Sequence, residues 1–162
     1  MNADAFRHLY QYHFSENRKT WIDYIMQLSD QQFTQVHDYP IGSVRDQIIH
    51  MMNVDRVWFW SLQGLDDFKE FSASDFQNRE MIRTEWDYIE SKMQAYLADL
   101  TDSALLQKPF SEGEDEPLIL WQVLLHVANH GTDHRAQVLR LLYDLGIKTT
   151  SQDYVFYIME NL

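Results

Sequence analysis

LWQVLLHVANHGTDHRAQVLRLLYDL, residues 120–145, is the stretch whose reading decides the fold. Leu120, Val123, Leu124, Val127, Val138, Leu141, Leu142 and Leu145 recur at three- and four-residue intervals, the period of one apolar helix face. Pro117 suits a first helical turn and Gly146 a C′ stop, so the run predicts a single long helix. Within it His126, His130 and His134 stand four apart. Residues at that spacing lie one above the other on the same face. An i, i+4 pair of imidazoles is therefore a ready-made two-point metal site, the physical basis of HExxH motifs. The Glu of that motif is missing, because Asn129 and Gly131 flank His130.

Three histidines in this register cannot all bind one ion. The axial rise from His126 to His134 is about 12 Å at about 1.5 Å per residue. Two nitrogens on one metal lie within roughly 4 Å of each other, given bonds of about 2.0–2.1 Å. Two registers therefore compete, His126 with His130 and His130 with His134, and geometry alone does not separate them. The plainer alternative is a set of partly buried helix histidines hydrogen-bonded to their neighbours.

Working outward, 162 residues fit one domain with a substantial core. No apolar run approaches membrane-spanning length and no signal-peptide pattern opens the chain, so a cytoplasmic location is expected. The chain has no cysteine, which excludes disulfides, thiolate metal sites and a cysteine nucleophile. Its formal charge is −12, with 25 acids against 13 bases. That balance argues against nucleic acid as a partner and against anionic membrane surfaces.

Upstream, Phe6, Leu9, Tyr10, His13, Phe14, Trp21, Tyr24, Ile25 and Leu28 carry a helical period over about residues 4–28. His8 and His13, five apart, share a face poorly and read as ordinary polar or half-buried side chains. Residues 31–42 read as a connection in which Phe33 packs and His37, before Tyr39-Pro40, lies at the surface. Ser43 with Asp46 resembles a capping box opening a second long helix that ends at Gly64. Ile48, Met52 and Phe59 define one side of it; His50, flanked by Gln47, Asn53, Val54 and Val57, lies on the other. Trp58, Phe59 and Trp60 spread around about 200° of that helix, too wide for one core face, so at least one ring should meet a second surface, another helix or another subunit, and a homodimer using these aromatics is expected.

A linker over residues 65–74, with Phe68 and Phe71, leads to a third long helix over about 76–100. Its expected buried face is Met81, Ile82, Trp86, Ile89, Met93, Tyr96, Leu97 and Leu100. Thr101 and Asp102 suit the cap of a short turn through Leu106, and residues 111–116 read as an exposed acidic loop. After Gly146 comes a turn, then a short amphipathic helix over residues 152–161. No phosphate-binding glycine motif and no nucleophile elbow occur. The expected architecture is all-α, a four-helix bundle with short additional helices.

The stretches SVRDQIIHMMNVDRVWFWSLQG (43–64) and LWQVLLHVANHGTDHRAQVLRLLYDLG (120–146) resemble the DinB/YfiT superfamily of proposed metal-dependent enzymes. The likeness spans nearly the whole chain in element order, and NHxxxHRxQ is its most specific part. It implies a four-helix bundle, often a homodimer, holding a metal through one histidine of the second long helix and a pair from the fourth. Here that implies His50 with His130 and His134, and leaves His126 one turn outside. Arg135 and Gln137 fall on family-like positions, whereas Ala136 replaces a glycine often found there.

Three neutral imidazoles leave a divalent ion an open position, and zinc or nickel suit such a set. The resemblance implies hydrolysis or thiol-linked transfer on a small molecule, with a low-molecular-weight thiol supplied from outside this cysteine-free chain. Asp133 and Asp46 are the carboxylates placed to orient His134 and His50, although both also suit a solvated helix surface. The competing class is a metal-binding or dimeric interaction module without catalysis.

Overall fold

The computed structural model describes residues 1–38, 42–65, 69–110 and 118–161. Pro117, the 111–116 loop, Phe68 and the Tyr39-Pro40 step lie outside the described residues. Among the described residues every regular element is helical. Four long helices form the frame: α1 (Ala3–Lys19), α3 (Val44–Ser61), α4 (Arg79–Ala98) and α5 (Leu120–Asp144). Two short ones, α2 (Asp30–Thr34) and α6 (Tyr154–Glu160), complete the set. Around the bundle, α5 packs on α3 and α1, and α4 packs on the same two from the other side.

Local chemistry fixes most helix ends. Asn2 accepts from the Ala5 amide at the start of α1, and Asn78 from the Met81 amide at the start of α4. Ser43 and Asp46 form the reciprocal capping box expected for α3. At the start of α5 the Gln122 side chain accepts the Ile119 N–H at 3.0 Å. Gly146, with φ of +84°, ends that helix in the left-handed region where a Cβ is penalised.

Three sequence expectations need correction. The first helix is not uniform, because α1 passes into a π turn over Thr20–Tyr24 and a 3₁₀ turn over Ile25–Gln27. This widened turn brings Trp21, Tyr24 and Ile25 to buried positions. The expected connection after it contains α2, opened by a capping box between Ser29 and Gln32. Met81 is exposed, whereas Ile82, Trp86, Ile89, Met93 and Leu97 are buried as their spacing predicts.

The core runs the length of the bundle, from Phe6 and Tyr10 through Ile48, Met52 and Phe59 to Ile89, Met93 and Leu124. Tyr10, fully buried, donates its hydroxyl to the Leu124 carbonyl at 2.9 Å, which satisfies the one polar atom the ring carries inside. The aromatic surplus of α3 finds partners within the chain. Phe59 is buried, Trp58 packs beside Phe110 and His126, and Trp60 lies edge-on to Tyr88. Of the two surfaces expected for the surplus rings, another helix supplies one, since Tyr88 belongs to α4, and Trp58 and Trp60 stay partly exposed. No described helix is long and apolar enough to cross a membrane.

Candidate functional site

The site lies where α3 faces α5. His50 projects from the side of α3 opposite the Ile48 and Met52 core, and His130 and His134 project from successive turns of α5. His50 Nε2 is 3.2 Å from His130 Nε2. The His134 ring centroid lies 4.5 Å from that of His50 and 4.2 Å from that of His130. One nitrogen from each ring can be chosen so that all three lie within 4.8 Å of one another. On a tetrahedral ion with bonds of about 2.0–2.1 Å, two ligand nitrogens are about 3.3–3.4 Å apart. The donor set and its spacing fit a divalent cation with small ring adjustments.

His126 stands apart from this group. Its ring packs edge-on to Trp58 at 5.2 Å and lies 5.9 Å from His130. With Asn129, His130, Thr132, Asp133 and Ala136 it lines an open groove of about 510 Å³ on the outer face of α5. The groove reaches the cluster at His130.

Electrostatics favour neutral rings. Burial, reinforced by the neighbouring His134, His50 and His126, pushes His130 down to about 4. Burial also lowers His50, against the opposing pull of Glu70. His134 is lowered by burial and then by His50, with Asp133 acting the other way. An imidazole must be neutral to offer a lone pair to a metal, and all three shifts favour that form.

The residue behind His134 is Gln47, fully buried, whose Oε1 lies 2.9 Å from His134 Nδ1. Its amide group faces Gln137 Oε1 at 3.3 Å. Neither carboxylate expected to orient the histidines touches one. Asp46 is committed to the α3 cap, accepting from the Ser43 amide and hydroxyl. Asp133 accepts from Gln137 Nε2 at 3.0 Å.

A second polar system backs the site on the α1 side. His13, expected at most half-buried, is 1% exposed, with Asp55 Oδ1 3.4 Å from its Nε2 and Arg135 Nη1 3.2 Å from its Nδ1. Arg135, fully buried, also donates to Asn17 Oδ1, Thr132 Oγ1 and Gln152 Oε1. Burial lowers its pKa, and Tyr12, Glu16 and Asp55 oppose that shift. Gly131 makes the arrangement sterically possible. A Cβ there would overlap His13 Cε1 and sit 2.7 Å from His13 Nδ1. His8 is elsewhere, packed against Tyr154 and Tyr157 of α6, and His37 is partly buried near the α3 start.

Asp55 escaped the sequence reading, which placed Gln47 beside His50 and His13 on the first helix but gave neither its buried role. Gln47 sits three residues before His50, a spacing that shares a helix face. The cue for His13 is Gly131, a glycine in the middle of a long helix, which marks a close approach by another group. The family model for the DinB family matches residues 1–161 of the chain. No curated protein matches it.

Proposed function

Starting from a chain that belongs to the DinB family, we propose that it is a metal-dependent enzyme whose divalent ion is held by His50, His130 and His134. The observation that carries the reading is the convergence of three imidazoles from two helices, with His50 and His130 meeting Nε2 to Nε2 at 3.2 Å. Zinc and nickel are the metals proposed, because imidazole suits both and no thiolate is available. A bound ion with an open position supplies Lewis-acid polarisation of an oxygen or stabilisation of a thiolate.

The protein's own part is to hold neutral rings in place, shield them on the core side and leave His130 reachable from the groove. That groove supports an enzyme over a closed, non-catalytic metal module. Hydrolysis or thiol-linked transfer on a small molecule is the reaction class proposed, with any thiol coming from outside the chain. A homodimer belongs to the same reading, as does a cytoplasmic setting.

The test is metal content by mass spectrometry, with zinc titration of His50→Ala, His130→Ala, His134→Ala and a His126→Ala control. The three cluster variants are expected to lose the ion and the control to keep it. If His126→Ala loses metal while His134→Ala does not, the ligand register is wrong by one turn. Unchanged metal content in all four would end the proposal. Light scattering on the same preparation decides the dimer.

A further inference from the structure

We propose that Asp133, Gln137 and Gln47 form a one-way hydrogen-bond relay that fixes the tautomer of His134, which makes Gln47 a positioning residue for the nitrogen facing His50 and His130. The contacts are continuous. Gln137 Nε2 is 3.0 Å from Asp133 Oδ2, Gln47 Nε2 is 3.3 Å from Gln137 Oε1, and His134 Nδ1 is 2.9 Å from Gln47 Oε1.

Two glutamines in series have no inherent direction. Each side-chain amide can turn by half a revolution and exchange its donor end for its acceptor end. The ends of the series must decide, and the two ends differ. An ionised carboxylate only accepts hydrogen bonds. Asp133 therefore draws the NH₂ of Gln137 toward itself, which turns the Gln137 carbonyl toward Gln47. Gln47 must then present its NH₂ to Gln137 and its carbonyl to His134. Nδ1 of His134 is left as the donor. A neutral imidazole carries one N–H, so Nε2 keeps its lone pair.

The opposite polarity would set a Gln137 carbonyl against the Asp133 carboxylate, two acceptors with no proton between them. It would also leave Nε2–H as the metal-facing group, where no cation can bind. Gln47 is fully buried, so water does not stand in for a lost partner. Asp133 is exposed, and through two amides it acts on a ring it never touches.

The first readout is taken on protein kept in chelator, and the second alone rests on the metal-site proposal. Long-range ¹H–¹⁵N correlation spectra of ¹⁵N-histidine-labelled protein at pH 7.5 report which ring nitrogen carries the proton. His134 is expected as Nδ1–H in the native chain and in Gln47→Glu. Gln47→Leu and Asp133→Asn should each give mixed tautomers. Asp133→Asn should have no further effect in the Gln47→Glu background, because a glutamate at 47 accepts from His134 without help. That background dependence separates a relay from a general structural role, and it keeps the test alive if Gln47→Leu does not fold.

Titration with zinc alone should show Gln47→Leu weaker by about 10–100-fold and Gln47→Glu close to native. A native spectrum with Nε2–H overturns the proposal, and so does unchanged Nδ1–H in both Gln47→Leu and Asp133→Asn. If the native chain binds no zinc, the metal-site reading fails while the tautomer spectra still decide the relay.

Discussion

Replacing Gly131 with alanine should destabilise the protein, although helix propensity alone predicts the reverse. In an exposed helix interior Gly→Ala gains about 1 kcal/mol. At this position the new methyl would overlap His13 Cε1 and crowd Nδ1 at 2.7 Å, about an ångström inside van der Waals contact. His13 has no room to retreat, since Asn17, Asp55 and Arg135 hold its two ring nitrogens. Overpacking of this kind costs about 1–3 kcal/mol. Breaking a buried hydrogen bond to His13 or Arg135 adds about 1–3 kcal/mol. The net expectation is a loss of about 2–4 kcal/mol, read from urea unfolding monitored by circular dichroism and tryptophan fluorescence. A double-mutant cycle isolates the cause. In a His13→Ala background the same change should be neutral or stabilising by up to about 1 kcal/mol, a coupling of about 3 kcal/mol between the two positions. Gly131→Ala as stable as the native chain would refute the steric argument, and equal losses in both backgrounds would refute the role given to His13.

Stability of the metal-free protein should fall as pH drops from about 6.5 toward about 4. His130 is depressed to about 4 on folding and His50 and His134 are lowered too, so the unfolded chain binds more protons across that window and gains relative to the folded one. Thermal melts in a chelating buffer should show this slope, and His130→Gln should flatten it; a slope untouched by that change contradicts the assignment. At the start of α3, Ser43→Ala removes a cap that accepts the Asp46 amide and should cost about 1–2 kcal/mol in urea unfolding, with a cost near zero contradicting the cap's role.

The helical period and the end signals carried the long helices, because apolar spacing reports directly on which face a helix buries. The four-residue histidine spacing on α5 likewise announced a possible metal grip. It left two adjacent registers equivalent, since a helix repeats itself nearly every turn, and only the family resemblance pointed to His130 and His134. In the structure α3 brings His50 opposite that pair, and Trp58 packs on the His126 ring. Other features depended on contacts between distant segments. Gln47 falls on the His50 side of α3 in the sequence, but its task is unreadable until its partners across the bundle are known. The burial of His13 depends on a glycine 118 positions away. The helix α2 is a different case, because Ser29 and Gln32 spell a capping box that the sequence does contain. The fate of Trp58 and Trp60 could not be settled from their angles alone, since a bundle offers a helix more than one neighbour.

Arg135 ties the end of the chain to the centre of the protein. Its Nε bonds Gln152, whose backbone carbonyl takes the Tyr12 hydroxyl and whose amide reaches the Thr132 carbonyl. Tyr24 adds a bond to Thr150. The helix beyond them, α6, buries none of its residues fully and leaves Tyr154, Val155, Phe156 and Met159 open to solvent. Few buried contacts mean a low free energy of local opening, so amide exchange should be fastest there among the helices. An excursion that peels residues 150–160 away also uncovers a guanidinium that is otherwise sealed, on the residue next to His134. Fraying of the tail and hydration of the polar system behind the histidines are thus one event.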